Sequence, residues 1–120
     1  MLIIKIYFKN RILIFMQTSE RINYIKNWIL DCCKSMPKEP ETLVVGISGG
    51  IDSSVTSAIC GLTGKKTIVL SMPIKQMKEQ QELSLKHQDW LKSKFKNVES
   101  HLIILDNLFK SFKVSLSEFD

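Results

Sequence analysis

Three short, unbroken apolar runs alternate with longer stretches of helical periodicity, and that alternation restricts the fold more than any other feature of the chain. The runs are Leu43–Ile47, Thr67–Ser71 and His101–Leu105. Continuous runs of this length suit strands buried on both faces, as in a parallel sheet; a strand with one wet face would alternate apolar and polar residues. A first helix is predicted from about Glu20, capped by Thr18 or Ser19. Ile22, Ile25, Ile29 and Cys32 form its inner stripe beside Trp28, and Pro37 and Pro40 end it. A second is predicted from Asp52 to about Leu62, burying Val55, Ile59 and Leu62, with Gly61 and Gly64 as its stop. A third, from about Gln76 to Lys96, turns Leu83, His87, Trp90, Leu91 and Phe95 inward and Lys78, Glu79, Glu82, Lys86 and Lys92 outward. Asp106 is expected to cap a last helix containing Leu108, Phe109 and Phe112. The order α-β-α-β-α-β-α calls for right-handed crossovers and an α/β fold: an open parallel sheet in a three-layer α/β/α arrangement, cut short after about three strands.

Bulk properties narrow the class further. A chain of 120 residues, 44% hydrophobic and 24% charged, is an ordinary globular sequence of one small domain. The net charge of +5 is spread out, Lys65-Lys66 being the one adjacent basic pair, so nucleic acid is not an expected partner. Cys32, Cys33 and Cys60 contain no Cys-x-x-Cys, which argues against a zinc or redox site and for free thiols in a cytoplasmic protein. The apolar start of the chain is broken by Lys5, Lys9 and Arg11, and falls short of the ~20 residues a spanning helix needs, so no membrane association is expected. Residues 1–16 are expected to be a poorly ordered or mistranslated extension, and 17–120 the folded part.

The chemistry is expected where the first run ends. In open α/β sheets, ligands sit at the carboxyl ends of the strands. There the sequence reads Gly46-Ile47-Ser48-Gly49-Gly50-Ile51-Asp52-Ser53-Ser54. Gly49 and Gly50 permit positive φ and close approach of backbone amides to an anion. The following helix directs its positive end at the same place, and Ser48, Ser53 and Ser54 add hydroxyl donors suited to phosphate oxygens. Asp52 would repel a phosphate unless a hard cation such as Mg²⁺ bridged the two. The ordinary alternative is a glycine-rich turn with Asp52 as a helix cap; the full string, set between a buried strand and a helix, disfavours it. Neither a Walker A loop nor a dinucleotide fingerprint is present. Gly64-Lys65-Lys66-Thr67 leads from a helix into a strand, the reverse of the order a Walker A loop requires.

Ser48-Gly49-Gly50-Ile51-Asp52-Ser53 resembles the pyrophosphate-binding loop of the N-type (PP-loop) ATP pyrophosphatases, whose domains are of the adenine nucleotide alpha hydrolase type. Val45–Ser54, Val69–Ile74 and Asn97–Ser100 are similar to ammonia-dependent NAD synthases in particular, and the resemblance covers about residues 17–116. It implies that Gly46, Ile47, Ser48, Gly49, Gly50, Ile51, Asp52 and Ser53 hold the phosphates of ATP, that Asp52 binds Mg²⁺, and that Ser71 and Met72 lie near the adenosine. It also implies a reaction: a carboxylate of nicotinate adenine dinucleotide attacks the α-phosphorus of ATP, pyrophosphate leaves, and ammonia displaces AMP. Such chemistry depends on placement and charge neutralisation, and no residue is assigned as general acid or base. The resemblance implies a homodimer for the whole enzyme. These 120 residues correspond to its N-terminal part and are expected to be inactive alone. Two other readings remain open at this stage: another PP-loop enzyme, of the tRNA-modifying or GMP-synthase type, and a non-enzymatic remnant. His87 and His101 are read as structural, and Trp28 and Trp90 as core or interface residues.

Overall fold

The computed structural model describes residues 16–75 and 77–117 and divides at Glu39 and Pro40 into two compact units. The expected N-terminal extension lies, but for Met16, outside the described residues. The first unit is helix α1 (Thr18–Lys34). Its N-cap is Gln17 rather than Thr18 or Ser19: the Gln17 amide donates to Glu20 Oε2 at 2.9 Å in a capping box. A carboxylate three residues on, not the hydroxyls, decides where this helix starts. Ser35 closes it, its hydroxyl donating to the Cys32 carbonyl at 2.8 Å. Trp28 stands exposed on its surface.

The second unit runs β1 (Thr42–Gly46), α2 (Ile51–Leu62), β2 (Lys66–Ser71), α3 (Lys78–Lys94), β3 (Val98–Leu102) and α4 (Asp106–Ser117). The three strands form one parallel sheet in the order β1-β2-β3. Helices α2 and α3 cover the same face of β2. The Thr67 hydroxyl donates to the Cys60 carbonyl of α2 at 3.3 Å, and the Ser84 hydroxyl of α3 donates to Ser71 Oγ at 3.1 Å. Strands added in one direction by crossovers of one hand place their helices on one side. The core beneath them is Ile47, Val69, Leu91 and Val98, with Val45, Ala58 and Phe95 packed against it.

Several expectations are corrected in detail. The third strand is Val98–Leu102, not His101–Leu105. Val98, opposite Thr67, enters the core, whereas Ile103 and Ile104 are exposed. The register follows the one valine that fills the core, not the longest apolar run. Burial on both faces fails for β1, where Val44 is 62% exposed. In α2, Ile59 is buried but Val55 and Leu62 are exposed; the inner face is Ser57, Ile59, Cys60 and Gly61. Gly61 is a packing position inside the helix, where an added Cβ would lie 2.9 Å from the Phe95 ring, and Gly64, at φ +78°, supplies the stop.

The inner residues of α3 are Ser84, Gln88 and Leu91, with Phe95 just beyond the helix, and Leu83 is 54% exposed. Small polar side chains seat this helix: Gln88 Nε2 donates to Ser84 Oγ at 3.4 Å, extending the bond from Ser84 to Ser71. A search for large apolar residues therefore rotates the helix the wrong way. Its N-cap is Met77, and Gln76 lies outside the described residues.

Asn97 ties the amino end of the sheet together. Its Nδ2 donates to the carbonyls of Gly61 at 3.0 Å and Lys65 at 2.8 Å, and its own carbonyl accepts from the Thr67 amide at 2.8 Å. All three cysteines are free, Cys33 and Cys60 buried. No helix among the described residues is long and apolar enough to cross a membrane.

Candidate functional site

Ile47 follows β1 and extends its pairing, the Ile47 amide donating to the Leu70 carbonyl at 2.8 Å. The chain then turns through Ser48-Gly49-Gly50 into α2, with Gly50 as the N-cap residue. The turn is closed by its own serines. The Ser48 amide donates to Ser53 Oγ and the Gly50 amide to Ser48 Oγ, each at 3.2 Å, and the two hydroxyl oxygens are themselves 3.2 Å apart. Ser53 and Ser54 hydroxyls donate to the Gly50 carbonyl at 3.1 and 2.8 Å. The first helical bond runs from the Ser54 amide to the Gly50 carbonyl. The amides of Ile51, Asp52 and Ser53 therefore precede the ladder and have no acceptor within the helix.

Gly49 is glycine for two reasons. Its φ is +90°, and a Cβ there would collide with the carbonyl oxygen of Gln80 in the first turn of α3. The loop is thus backed by the start of α3. About two turns further along α3, that helix meets α2 itself. Ser57 Oγ lies 2.9 Å from His87 Nε2 and also donates to the Ser54 carbonyl at 2.9 Å. Desolvation pulls the His87 pKa below its usual 6.5, against the opposing influence of the Ser54 carbonyl. His87 stacks on Trp90, with ring centroids 5.5 Å apart. His87 thus joins α3 to the first turns of α2.

Beside the loop lies an open cavity of about 510 Å³, lined by Gly46, Ile47, Ser48, Ser53, Leu70, Met72 and Ile74. That volume is within the range of small-molecule sites. Of the eight residues expected at the phosphates, Gly46, Ile47, Ser48 and Ser53 line it. Gly49, Gly50, Ile51 and Asp52 do not line it; they continue the turn into the first residues of α2. An added Cβ at Gly46 would meet nothing within 4 Å, so the absence of a side chain there keeps the cavity open rather than relieving a clash. The carboxylate of Asp52 is exposed in the first turn of α2, and among the described residues no three His, Cys, Asp or Glu side chains come together as a metal site. A single exposed carboxylate on the first turn of α2 fits Mg²⁺ that takes its other ligands from phosphate and water; it does not fit a closed, all-protein metal site. Leu70 and Ile74 form an apolar wall with Met72. Of these only Met72 was singled out by role in the sequence, as lying near the adenosine.

A turn of glycines and serines at the carboxyl end of a parallel strand, opening on a cavity and backed by a helix start, defines an open-sheet α/β domain of the ligand-binding kind. The sequence profile of the NAD synthase family matches residues 21–118, and the chain belongs to that family. The assignment selects the NAD synthase branch among the PP-loop readings set out above. Among solved structures, the chain is similar to NMN synthetase from Francisella tularensis, with 27% identity and a TM-score of 0.76 over 88% of this chain. The match covers 42% of that structure, so the chain spans less than half its length. No curated protein sequence matches significantly.

Proposed function

We propose that this chain is the ATP-binding part of an amide-forming ligase that converts a nicotinate nucleotide to the corresponding nicotinamide nucleotide, releasing AMP and pyrophosphate. The observation that carries this reading is the turn from Gly46 to Ser53, set at the rim of a cavity of about 510 Å³ in a chain of the NAD synthase family. Phosphate oxygens would meet the amides of Ile51, Asp52 and Ser53 ahead of the helical ladder. They would also replace the neutral serine oxygens that hold the Ser48 and Gly50 amides. Exchanging a neutral acceptor for a charged one strengthens each bond, and the helix start adds to the attraction.

Asp52 would hold Mg²⁺, which when bound would neutralise the phosphates and ease the departure of pyrophosphate. The apolar wall of Leu70, Met72 and Ile74 would take the adenosine end. Gly46, Ile47, Ser48, Gly49, Gly50, Ile51, Asp52 and Ser53 then act by placing ATP for attack at its α-phosphorus, and none needs to serve as nucleophile or general base.

The dinucleotide, nicotinate adenine dinucleotide, is the substrate the family resemblance implies, with ammonia as the nitrogen donor. The similarity to an NMN synthetase favours a second reading, in which the accepting nucleotide is the mononucleotide. The chain covers less than half of that structure, so turnover and the homodimer are proposed for the whole enzyme, and Mg-ATP binding is the part proposed for these 120 residues. Calorimetry with Mg-ATP tests the proposal. Saturable binding that is lost in Asp52→Asn is expected; the absence of binding by the wild-type chain would make it a remnant without nucleotide function.

A further inference from the structure

We infer that Asp106 is a positioning residue for the nucleotide pocket: it pins the loop after β2 so that Met72 and Ile74 form the wall against which adenosine rests. The inference depends on the ATP reading given above.

Lys75 is the one non-glycine residue with positive φ among the described residues, at +45°. An L-residue in the left-handed region costs roughly 1–2 kcal/mol, so something must hold it there. Three ties do so, all from the start of α4. The Lys75 amide donates to Asp106 Oδ1 at 2.9 Å. The Lys75 ammonium stands 5.1 Å from the centroid of the Phe109 ring, within reach of a cation–π attraction. The Leu105 amide donates to the Pro73 carbonyl at 3.3 Å. The carboxylate bond is the strongest of these, since one partner carries a full charge.

Ile74 converts this latch into a property of the site. It lines the 510 Å³ cavity together with Met72, and it also lines an apolar hollow of about 250 Å³ formed with Leu105, Leu108, Phe109 and Phe112. One side chain therefore meets α4 on one side and the cavity on the other. Release of the Lys75 amide lets the backbone leave its left-handed conformation, and Ile74 leaves the wall with it. The turn proposed to take the phosphates is closed by serine bonds within residues 48–54 and backed by the start of α3, and none of these contacts involves α4. Loss of the latch should thus weaken ligands that carry adenosine and spare those that carry only phosphate.

The experiment compares wild type, Asp106→Ala, Asp106→Asn and the double variant Asp106→Ala/Lys75→Gly. It follows calorimetry with Mg-ATP and with Mg-pyrophosphate, and the methyl NMR signals of Met72 and Ile74 without ligand. Asp106→Ala is expected to weaken Mg-ATP by about tenfold, the worth of one charge-assisted bond, while pyrophosphate affinity stays within about twofold. Asp106→Asn, which keeps a carbonyl acceptor, should retain most of the affinity. Glycine at position 75 holds the left-handed conformation unaided and should restore part of the loss. The Met72 and Ile74 methyl signals should shift or broaden in Asp106→Ala and return toward wild type in the double variant. Equal weakening of both ligands, or unchanged ATP affinity with unchanged methyl signals, would overturn the inference. If wild type binds neither ligand, the ATP reading fails and takes the adenosine role with it; the methyl signals then still decide whether Asp106 sets the position of the wall.

Discussion

The two ends of the cavity are built in opposite ways. The turn at the end of β1 closes on itself through serine bonds spanning no more than five residues. The wall at the end of β2 is held by bonds that reach 31 residues along the chain, from Lys75 to Asp106. Local bonds form with little loop-closure entropy and leave their mark as a contiguous motif; remote bonds must overcome more chain entropy and leave none. The contrast makes the turn, the end proposed to take phosphates, the sequence-encoded half of the site. The wall, proposed to take adenosine, is the half that depends on how the rest of the unit is folded.

The comparison can be broken most severely at Gly49. Gly49→Ala forces a Cβ against the Gln80 carbonyl at a φ of +90°. We expect a loss of roughly 2–4 kcal/mol of stability, combining backbone strain with overpacking, together with loss of pyrophosphate binding. Chemical denaturation and calorimetry check both. Asn97→Ala acts at the other end of the sheet. It removes the two bonds that Asn97 Nδ2 gives the Gly61 and Lys65 carbonyls, which keep donors in the Gly64 amide and the Thr67 hydroxyl, and should cost about 1–3 kcal/mol. Ligand affinities measured well below the unfolding midpoint should not change. A changed ratio of ATP to pyrophosphate affinity in Asn97→Ala would show that the two ends of the cavity are not independent.

The smallest effect is expected from His87, which joins α2 to α3. Its folded-state pKa lies below the ordinary 6.5 because burial disfavours the charged ring. The unfolded chain therefore takes up the proton first as pH falls. The contribution of the neutral ring is complete above about 6.5 and is lost as pH drops through the lower folded value. Thermal unfolding measured from neutral to mildly acid pH should show this decline, and His87→Gln should flatten it. A rise in stability on acidification, reversed in His87→Gln, would contradict the assignment.

The pattern of what the sequence discloses follows the same division. The strand–turn–helix unit from Leu43 to Leu62 was legible because Gly49, Gly50 and the serines act on their near neighbours, and the parallel sheet followed from the alternation of elements. The start of β3 was misplaced because a single core residue, Val98, outweighs the exposed run that follows it. The face of α3 was misjudged because Ser84 and Gln88 seat it through hydrogen bonds, which hydrophobic periodicity does not register. The sequence presents Asp106 as a helix cap, yet Leu105 takes that position: its carbonyl accepts the Phe109 amide at 2.9 Å, leaving the Asp106 carboxylate for Lys75. A cap and a latch carry the same sequence signature, an acidic residue at a helix start, and only the tertiary partner separates them. Leu70 and Ile74, which wall the cavity, fall within the Val69–Ile74 resemblance but carry no role there, because in the sequence they are ordinary strand-end aliphatics.

The account rests on the turn after β1 receiving the phosphates of a nucleotide. Backbone amide NMR during titration of the 120-residue protein with Mg-ATP tests this most directly. Saturable shifts centred on Ser48 through Ser53, reproduced there by Mg-pyrophosphate, are the expected result. Shifts confined to Lys65 and Lys66, or none in the turn at saturating ligand, would contradict it.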